Sequence, residues 1–131
     1  MKTLIVEDDF TSRFLLQTLL APYGECHAAV NGREAVEAFQ RMKASGAAFD
    51  LICMDIMMPE VDGQTALREI RALEESAGVM LGAGVKIIMV TAVPDMKVMA
   101  ESFRIGCDAY LRKPVDTAEL LRYLKSFSLV S

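Results

Sequence analysis

The sequence predicts a single α/β domain built on a parallel sheet, and three observations support this prediction. Short apolar runs alternate with helical patterns along all 131 residues, as repeated β-α units do. The run Val85–Val90 is almost entirely apolar, which is typical of a strand that helices cover on both faces. In addition, 53% of the residues are hydrophobic, and the length suits one substantial core. We expect the domain over residues 1–127, then a short tail at 128–131 with no output domain.

Five strands and five helices are expected to alternate along the chain. The strands are predicted at Lys2–Val6, Glu25–Val30, Asp50–Met54, Val85–Val90 and Asp108–Leu111. The first helix is predicted over Thr11–Ala21, with a core-facing row formed by Leu15, Leu16, Leu19 and Leu20. The other helices should follow capping residues, whose side-chain oxygens accept hydrogen bonds from the first turn, at Asn31, Asp62, Asp95 and Asp116. These helices should end near Ser45, Glu75, Arg104 and Phe127. The Gly/Ala-rich segment Ser76–Gly84 is predicted to be a loop.

Composition and charge argue against several classes of protein. The net charge of -4 disfavours general nucleic-acid binding. No apolar stretch approaches the ~18 residues of a membrane helix, and the acids that start at Glu7 come too early for a signal peptide. Three cysteines without a CxxC spacing do not suggest a disulfide framework or a zinc site. We therefore expect a cytoplasmic protein that binds neither membranes nor nucleic acid directly.

Acidic, hydroxyl and amine side chains follow four of the predicted strands. They are Glu7, Asp8 and Asp9 after the first strand, Asp55 after the third, Thr91 after the fourth and Lys113 after the fifth. The carboxyl ends of parallel strands meet at one edge of the sheet, where open α/β sheets bind their ligands. Carboxylates suit a hard divalent cation, and an amine and a hydroxyl suit phosphoryl oxygens. The pattern therefore predicts a site for a metal ion and a phosphoryl group.

Four motifs resemble those of the receiver domains of response regulators in two-component signalling. They are Val6-Glu7-Asp8, the segment from Asp50 to Gly63 around Asp55, Thr91-Ala92, and Tyr110-Leu111-Arg112-Lys113-Pro114. Their order and spacing match the family over about residues 2–126. The resemblance implies that residues 1–127 form a receiver domain with a flavodoxin-like (βα)5 three-layer sandwich. Its parallel five-stranded sheet would have the order 2-1-3-4-5.

The resemblance also implies roles in phosphorylation and switching. Asp55 would be the phosphoacceptor, and Thr91 and Lys113 would contact oxygens of the phosphoryl group. Thr91 and Tyr110 would together form a conformational switch. The family usually holds the bond that corresponds to Lys113-Pro114 in the cis form, which lets the lysine amine reach the site.

A site for Mg²⁺, or Mn²⁺, is implied by the same resemblance. Asp8, Asp55 and the backbone carbonyl of Met57 would hold the ion, with Glu7 acting through water. The three consecutive acids leave a second possibility, in which Asp8 and Asp9 form the pair. The match through the first helix favours Glu7 with Asp8, and Asp9 would then be a solvated residue whose charge suits the helix dipole.

The implied function is to accept a phosphoryl group on Asp55 and to signal by a change of conformation. The donor would be a histidine kinase or a histidine phosphotransfer protein. A downstream protein would bind the face formed by the fourth helix, the fifth strand and the fifth helix. Phe10 and Phe14, at positions i and i+4, would form an apolar patch for the histidine-bearing helix. Alternatively, Phe10 folds into the packing of its own loop. Such a protein would not be an enzyme.

Two other functions are open. A Mg²⁺-dependent phosphatase with an aspartate nucleophile also pairs an aspartate with a cation. Such enzymes usually carry a second acid two residues later, where this chain has Met57. The other alternative is an adaptor that works without phosphorylation, and the complete set of acids together with Thr91 and Lys113 speaks against it.

Overall fold

The computed structural model describes residues 1–58, 61–80 and 82–131. Five parallel strands form one sheet in the predicted order β2-β1-β3-β4-β5. The strands are β1 (Lys2–Val6), β2 (Glu25–Ala29), β3 (Leu51–Asp55), β4 (Lys86–Thr91) and β5 (Ala109–Arg112). The helices are α1 (Phe10–Leu20), α2 (Gly32–Ala44), α3 (Gly63–Ser76), α4 (Met96–Ile105) and α5 (Thr117–Ser126), and a 3₁₀ turn (Ala21–Tyr23) follows α1. Pro59 of the segment after Asp55, and Leu81 of the predicted Ser76–Gly84 loop, lie outside the described residues. Among the helices described, none has the length and apolar character needed to cross a membrane.

Each face of the sheet carries its own apolar core, because successive side chains of a strand point to opposite faces. Leu4 and Val6 of β1 face a core that includes residues of α2 and α3. Ile5, between them, faces a second core that includes residues of α1 and α5. Every residue of β3 is buried, and so are five of the six residues of β4. This burial explains the apolar composition of β4 and confirms a sheet covered on both faces.

The predicted helix caps are all present. The hydrogen bonds run from Glu34 N to Asn31 (2.8 Å), from Thr65 N to Asp62 (2.8 Å), from Lys97 N to Asp95 (2.8 Å) and from Ala118 N to Asp116 (3.0 Å). Asp9 caps α1 in the same way, since it accepts a hydrogen bond from Ser12 N at 2.9 Å. This cap starts α1 at Phe10, one residue earlier than predicted.

The prediction that Leu15 faces the core is wrong, since this side chain is 42% exposed. Leu16 and Leu20, four residues apart, are the buried residues of α1. Leu15 lies about 100° around the helix from Leu16, which turns it toward solvent. Val30, predicted as the last residue of the second strand, lies outside β2 and is exposed.

Strands β3, β4 and β5 each begin and end one residue later than predicted. At their carboxyl ends the pairing continues into polar residues, with Asp55 opposite Val90 and Thr91 opposite Arg112. Backbone pairing does not require an apolar side chain, so the apolar runs end before the strands do. At the amino ends, Asp50 and Asp108 still form backbone hydrogen bonds with neighbouring strands, and their carboxylates accept further ones from Lys2 N and Ile87 N.

A buried polar network closes the amino end of β4, on the side of the sheet away from the acids. The guanidinium of Arg71 donates to Glu74 (2.6 Å), to Asp108 (3.0 Å) and to the carbonyl oxygens of Val85 and Gly106 (both 2.9 Å). The other carboxylate oxygen of Glu74 accepts from Val85 N at 2.7 Å. One arginine therefore links α3 to the ends of α4, β4 and β5.

Replacing Arg71 with methionine should lower the free energy of unfolding by about 3 kcal/mol, because the buried Glu74 carboxylate loses its cation. Urea denaturation measures this loss. The matched control is Arg68→Met, three residues earlier in α3, which breaks a surface ion pair with Glu101 and should change the urea midpoint little. Equal losses in the two variants would show that the Arg71 network contributes no more than a surface pair.

Candidate functional site

Three carboxylates meet at the carboxyl edge of the sheet. They belong to Glu7 and Asp8, directly after β1, and to Asp55, the last residue of β3. One oxygen of each lies within 4.8 Å of the others. Glu7 and Asp55 are buried, whereas Asp8 is exposed. The meeting follows from the register of the sheet, which places Val6 beside Met54 and so brings the residues that follow them to adjacent positions.

Asp9 lies outside this cluster because its side chain contacts the first turn of α1. Its carboxylate caps α1, and the hydrogen bond from Ser12 lowers the pKa of Asp9. Its backbone N–H donates to the carboxylate of Glu7 at 3.2 Å. The geometry therefore groups Glu7 and Asp8 with Asp55, and leaves Asp9 as the residue that opens the first helix.

Lys113 brings a positive charge to the acids. Its amine forms an ion pair with Glu7 and lies 3.5 Å from an oxygen of Asp55. The Lys113-Pro114 bond is cis, as predicted. Burial acts to lower the pKa of Lys113, but its hydrogen bond with Glu7 and the charges of both acids outweigh burial and raise it. Burial raises the pKa of Glu7, Lys113 opposes this effect, and Asp55 adds to it.

Thr91 and Tyr110, the predicted switch pair, are neighbours in β4 and β5. The Thr91 hydroxyl is buried and bonds within its own loop: it donates to the carbonyl of Val93 (3.1 Å) and accepts from Val93 N (3.2 Å). Tyr110 is half-buried, and its hydroxyl, enclosed near Thr91 and Asp95, forms no hydrogen bond within the part of the chain that the structure describes. Burial raises the pKa of Tyr110. The structure thus places the two hydroxyls near each other, and neither forms a hydrogen bond with Asp55 within the described residues.

The segment after Asp55 lies close to the carboxylate of this predicted phosphoacceptor. Met57 N donates to an oxygen of Asp55 at 3.3 Å, and the Met57 side chain is 66% exposed. Gly63, the first residue of α3, packs so closely that a Cβ atom at this position would meet the carbonyl of Asp55. From the sequence, Gly63 indicates only a loop. Its close approach to Asp55 could not be predicted, because it arises from the packing of α3 on β3.

Sequence reasoning assigned no role to Arg13. Its guanidinium reaches back from α1 and donates to the carbonyl oxygen of Glu7 at 2.8 Å. Arg13 lies in α1 and Glu7, six residues earlier, lies in the preceding loop, so no helical periodicity predicts the contact.

The donor set fits a hard divalent cation. Three oxygen ligands with a formal charge of -3 face one amine, so negative charge is in excess. The Asp8 carboxylate accepts no hydrogen bond from the described part of the chain and is free to bind an ion. Mg²⁺ prefers such oxygen ligands and keeps several waters, which an exposed site allows. Glu7, Asp8 and Asp55 can therefore hold Mg²⁺ or Mn²⁺.

The response regulator receiver domain family model matches residues 3–125 of the chain. The chemotaxis protein CheY of Thermotoga maritima is 30% identical over 129 residues, which cover 97% of each chain. The regulatory protein AtoC of Escherichia coli is 37% identical over 120 residues, which cover 91% of this chain and 23% of AtoC. The chain thus spans nearly all of one relative and less than a quarter of the other.

Two solved structures share the fold. One is the co-crystal structure of the Saccharomyces cerevisiae histidine phosphotransfer protein Ypd1 with the receiver domain of Ssk1. It has a TM-score of 0.83 and 28% identity, over 97% of this chain and 88% of that chain. The other is the receiver domain of the Pseudomonas aeruginosa sensor histidine kinase PA1611, with a magnesium ion in its active-site cleft. It has a TM-score of 0.76 and 29% identity, over 97% of each chain.

Asp8→Asn should raise the free energy of unfolding of the metal-free protein, because it removes one of three mutually repelling charges. At this separation in water, one pair of charges contributes roughly 1 kcal/mol. Added MgCl₂ should then stabilise the parent more than the variant. Urea denaturation with EDTA and with excess MgCl₂ measures both effects.

The control for this prediction is Asp9→Asn, which makes the same charge change on the next residue and keeps a good helix cap. It should leave the gain from MgCl₂ in place. If Asp8→Asn destabilises the metal-free protein, the acids satisfy one another structurally, and the cluster is not a strained cation site.

Proposed function

The chain belongs to the family of response regulator receiver domains of two-component signalling, and from this membership and its acidic site we propose that Asp55 is the phosphoacceptor. One observation carries the proposal. Asp55 ends the central strand with one oxygen 3.5 Å from the Lys113 amine and with two further carboxylates beside it. A carboxylate that attacks a phosphoryl group is anionic, and so is its target. It therefore needs a cation nearby, such as the Lys113 amine, and groups that can bind another.

In the proposed reaction, a carboxylate oxygen of Asp55 attacks the phosphorus of a phosphohistidine. The P–N bond breaks, and its electron pair returns to the imidazole of the donor. Lys113 pairs with one phosphoryl oxygen as it already pairs with the acids. Thr91 would give up its hydrogen bond to the Val93 carbonyl and donate to another phosphoryl oxygen.

Mg²⁺ or Mn²⁺ completes this arrangement in our proposal. Asp8, Asp55 and the Met57 carbonyl would hold the ion, with Glu7 acting through water. When bound, it supplies positive charge that offsets the repulsion between the acids and the phosphoryl oxygens. Glu7 and Lys113 keep their ion pair at the inner side of the site, which orients the amine toward Asp55.

The signal would leave the site through Thr91 and Tyr110. Movement of Thr91 toward a phosphorylated Asp55 changes the space beside the Tyr110 ring, and the exposed face of α4, β5 and α5 changes with it. This face carries the exposed apolar side chains of Met96 and Phe103, which suit a downstream protein. The protein would act by binding that partner and not by catalytic turnover.

The phosphodonor would be a histidine kinase or a histidine phosphotransfer protein. Phe10 and Phe14, the first-turn residues of α1, are 69% and 60% exposed and stack with ring centroids 6.1 Å apart. Phe10 therefore does not fold into its loop, and the open question about it is answered in favour of an exposed patch. An apolar patch next to the acids suits a helix that presents its histidine to Asp55. The structure of Ypd1 with a receiver domain supports this class of partner.

The rival functions receive less support from the site. A phosphatase of the aspartate class needs an acid or base two residues beyond its nucleophile, and Met57 cannot transfer a proton. An adaptor that works without phosphorylation has no need of Lys113 beside two buried acids, an arrangement that costs desolvation free energy.

Incubation with MgCl₂ and acetyl phosphate should add the mass of one phosphoryl group, detected by intact-mass spectrometry. Asp55→Asn should abolish the adduct, because an amide cannot act as the nucleophile. Asp9→Asn is the matched control and should keep it, since Asp9 lies outside the cluster.

An adduct that survives in Asp55→Asn would place the phosphoacceptor elsewhere. Steady release of phosphate at the rate of an enzyme, without accumulation of the adduct, would instead support the phosphatase.

The phosphoryl group should survive for a long time on Asp55. A hydrolytic water needs polar groups to orient it, and in the receiver-domain family the residues two beyond the phosphoacceptor and two beyond the threonine flank its path. In this chain they are Met57 and Val93, whose exposed side chains are apolar. The double variant Met57→Asn with Val93→Glu should speed the loss of phosphate by roughly 10-fold or more. The decay of the adduct measures this rate.

Met80→Asn controls for the same replacement at another exposed methionine and should leave the decay unchanged. A double variant that decays no faster than the parent would show that other residues set the lifetime.

A further inference from the structure

The loop that carries two of the three acids is short and strongly charged. This acid loop, defined as Glu7, Asp8 and Asp9, crosses from β1 to α1 with three consecutive carboxylates. Both of its ends are anchored, by Glu7 N donating to the Ala29 carbonyl (2.9 Å) and by Ser12 N donating to Asp9 (2.9 Å). Asp8 lies between these anchors, and its exposed side chain makes no contact that would fix it in the described chain.

Arg13 contacts the backbone of the acid loop. One nitrogen of its guanidinium lies 2.8 Å from the carbonyl oxygen of Glu7 and 3.4 Å from that of Asp8. On the outer side, the Phe10 ring centroid lies 5.6 Å from the guanidinium carbon. The arginine is therefore held between the loop backbone and an aromatic ring, which restricts where it can move.

We propose that Arg13 is a positioning residue for cation binding: it fixes the backbone of the acid loop so that Asp8 and Glu7 face Asp55. The inference rests on the proposed function of the acidic site. The hydrogen bonds of Arg13 go to carbonyl oxygens of the acid loop, so they hold its backbone and leave its carboxylates available for an ion. Because a positive charge beside a cation site opposes Mg²⁺ binding, the contribution of Arg13 to that binding is geometric.

Arginine suits this position better than lysine would. A planar guanidinium has several donors in a fixed arrangement and can contact neighbouring carbonyl oxygens and an aromatic face at once. A lysine amine would keep the charge but lose this geometry. Arg13→Lys therefore tests the geometry at constant charge.

The test is titration calorimetry of MgCl₂ into the full chain, for the parent and for Arg13→Met, Arg13→Lys and Arg41→Met. Groups that orient metal ligands typically change metal affinity by 10-fold or more. We expect Arg13→Met to weaken Mg²⁺ binding by about 10-fold and Arg13→Lys to recover only part of that loss. Arg41→Met removes an exposed arginine in the last turn of α2 and should bind Mg²⁺ like the parent.

A second measurement requires no metal. Amide hydrogen exchange at Asp8 and Asp9 in the metal-free protein should be faster in Arg13→Met than in the parent, because the loop has lost its support. At saturating MgCl₂, the variant should accept the phosphoryl group from acetyl phosphate at the rate of the parent. If Arg13→Met does not fold, Arg13→Lys carries both measurements.

Several results would overturn the inference. Unchanged Mg²⁺ affinity in Arg13→Met would show that the loop holds its own shape, and full recovery in Arg13→Lys would show that the planar geometry of the guanidinium is not required. A slow phosphorylation that saturating MgCl₂ does not restore would assign Arg13 a direct contact with the donor. Asp8→Asn distinguishes failure of the proposed cation site from failure of the role of Arg13. If Asp8→Asn abolishes Mg²⁺ binding while Arg13→Met leaves it unchanged, the site is supported and the role of Arg13 is wrong. Absence of Mg²⁺ binding in the parent would remove both.

Discussion

Repulsion between carboxylates is the constraint on which the rest of the structure depends. Glu7, Asp8 and Asp55 approach within 4.8 Å, and Lys113 is the one amine that pairs with them in the described chain. Such a cluster disperses unless rigid elements hold it. The buried strands β1 and β3 provide that rigidity, because their side chains fill the cores on both faces of the sheet. The surplus negative charge that results is what makes the site able to attract a cation and, with it, a phosphoryl group.

The two edges of the sheet use the same residue types in opposite ways. At the amino edge, backbone N–H groups are available as donors, and the carboxylates of Asp50, Glu74 and Asp108 accept hydrogen bonds from them. Those acids are satisfied within the chain and have no need of an ion. At the carboxyl edge, Asp8 has no such donor, and Asp55 has one weak contact from Met57 N at 3.3 Å. Whether a backbone donor reaches the carboxylate therefore decides its role, as the neighbours Asp8 and Asp9 show: Asp9 caps α1, and Asp8 is left for an ion.

Much of this arrangement could be predicted from the sequence, because local signals carry it. Apolar runs located the strands, and single capping residues such as Asn31 and Asp62 located the helices. What escaped prediction depends on contacts between distant parts of the chain. Leu15 lies in an apolar row whose buried side is set by the sheet, and the pairing of β3 extends one residue beyond its apolar run to include Asp55. The long side chain of Arg71 bridges elements 35 and 37 residues away, and no local pattern encodes that reach.

The hydrogen bonding of Thr91 and Tyr110 suggests how the proposed phosphorylation of Asp55 would change the face formed by α4, β5 and α5. The Thr91 hydroxyl forms its hydrogen bonds with Val93 in its own loop, while the enclosed Tyr110 hydroxyl has no hydrogen-bond partner among the described residues. A buried hydroxyl without a hydrogen bond costs about 1–3 kcal/mol, so this position of the tyrosine is not strongly preferred. A new hydrogen bond from Thr91 to a charged phosphoryl oxygen contributes a free energy of the same size. In the mechanism proposed above, phosphorylation would shift Tyr110 between two positions of similar free energy, and the surface of α4 and β5 would then report the state of Asp55.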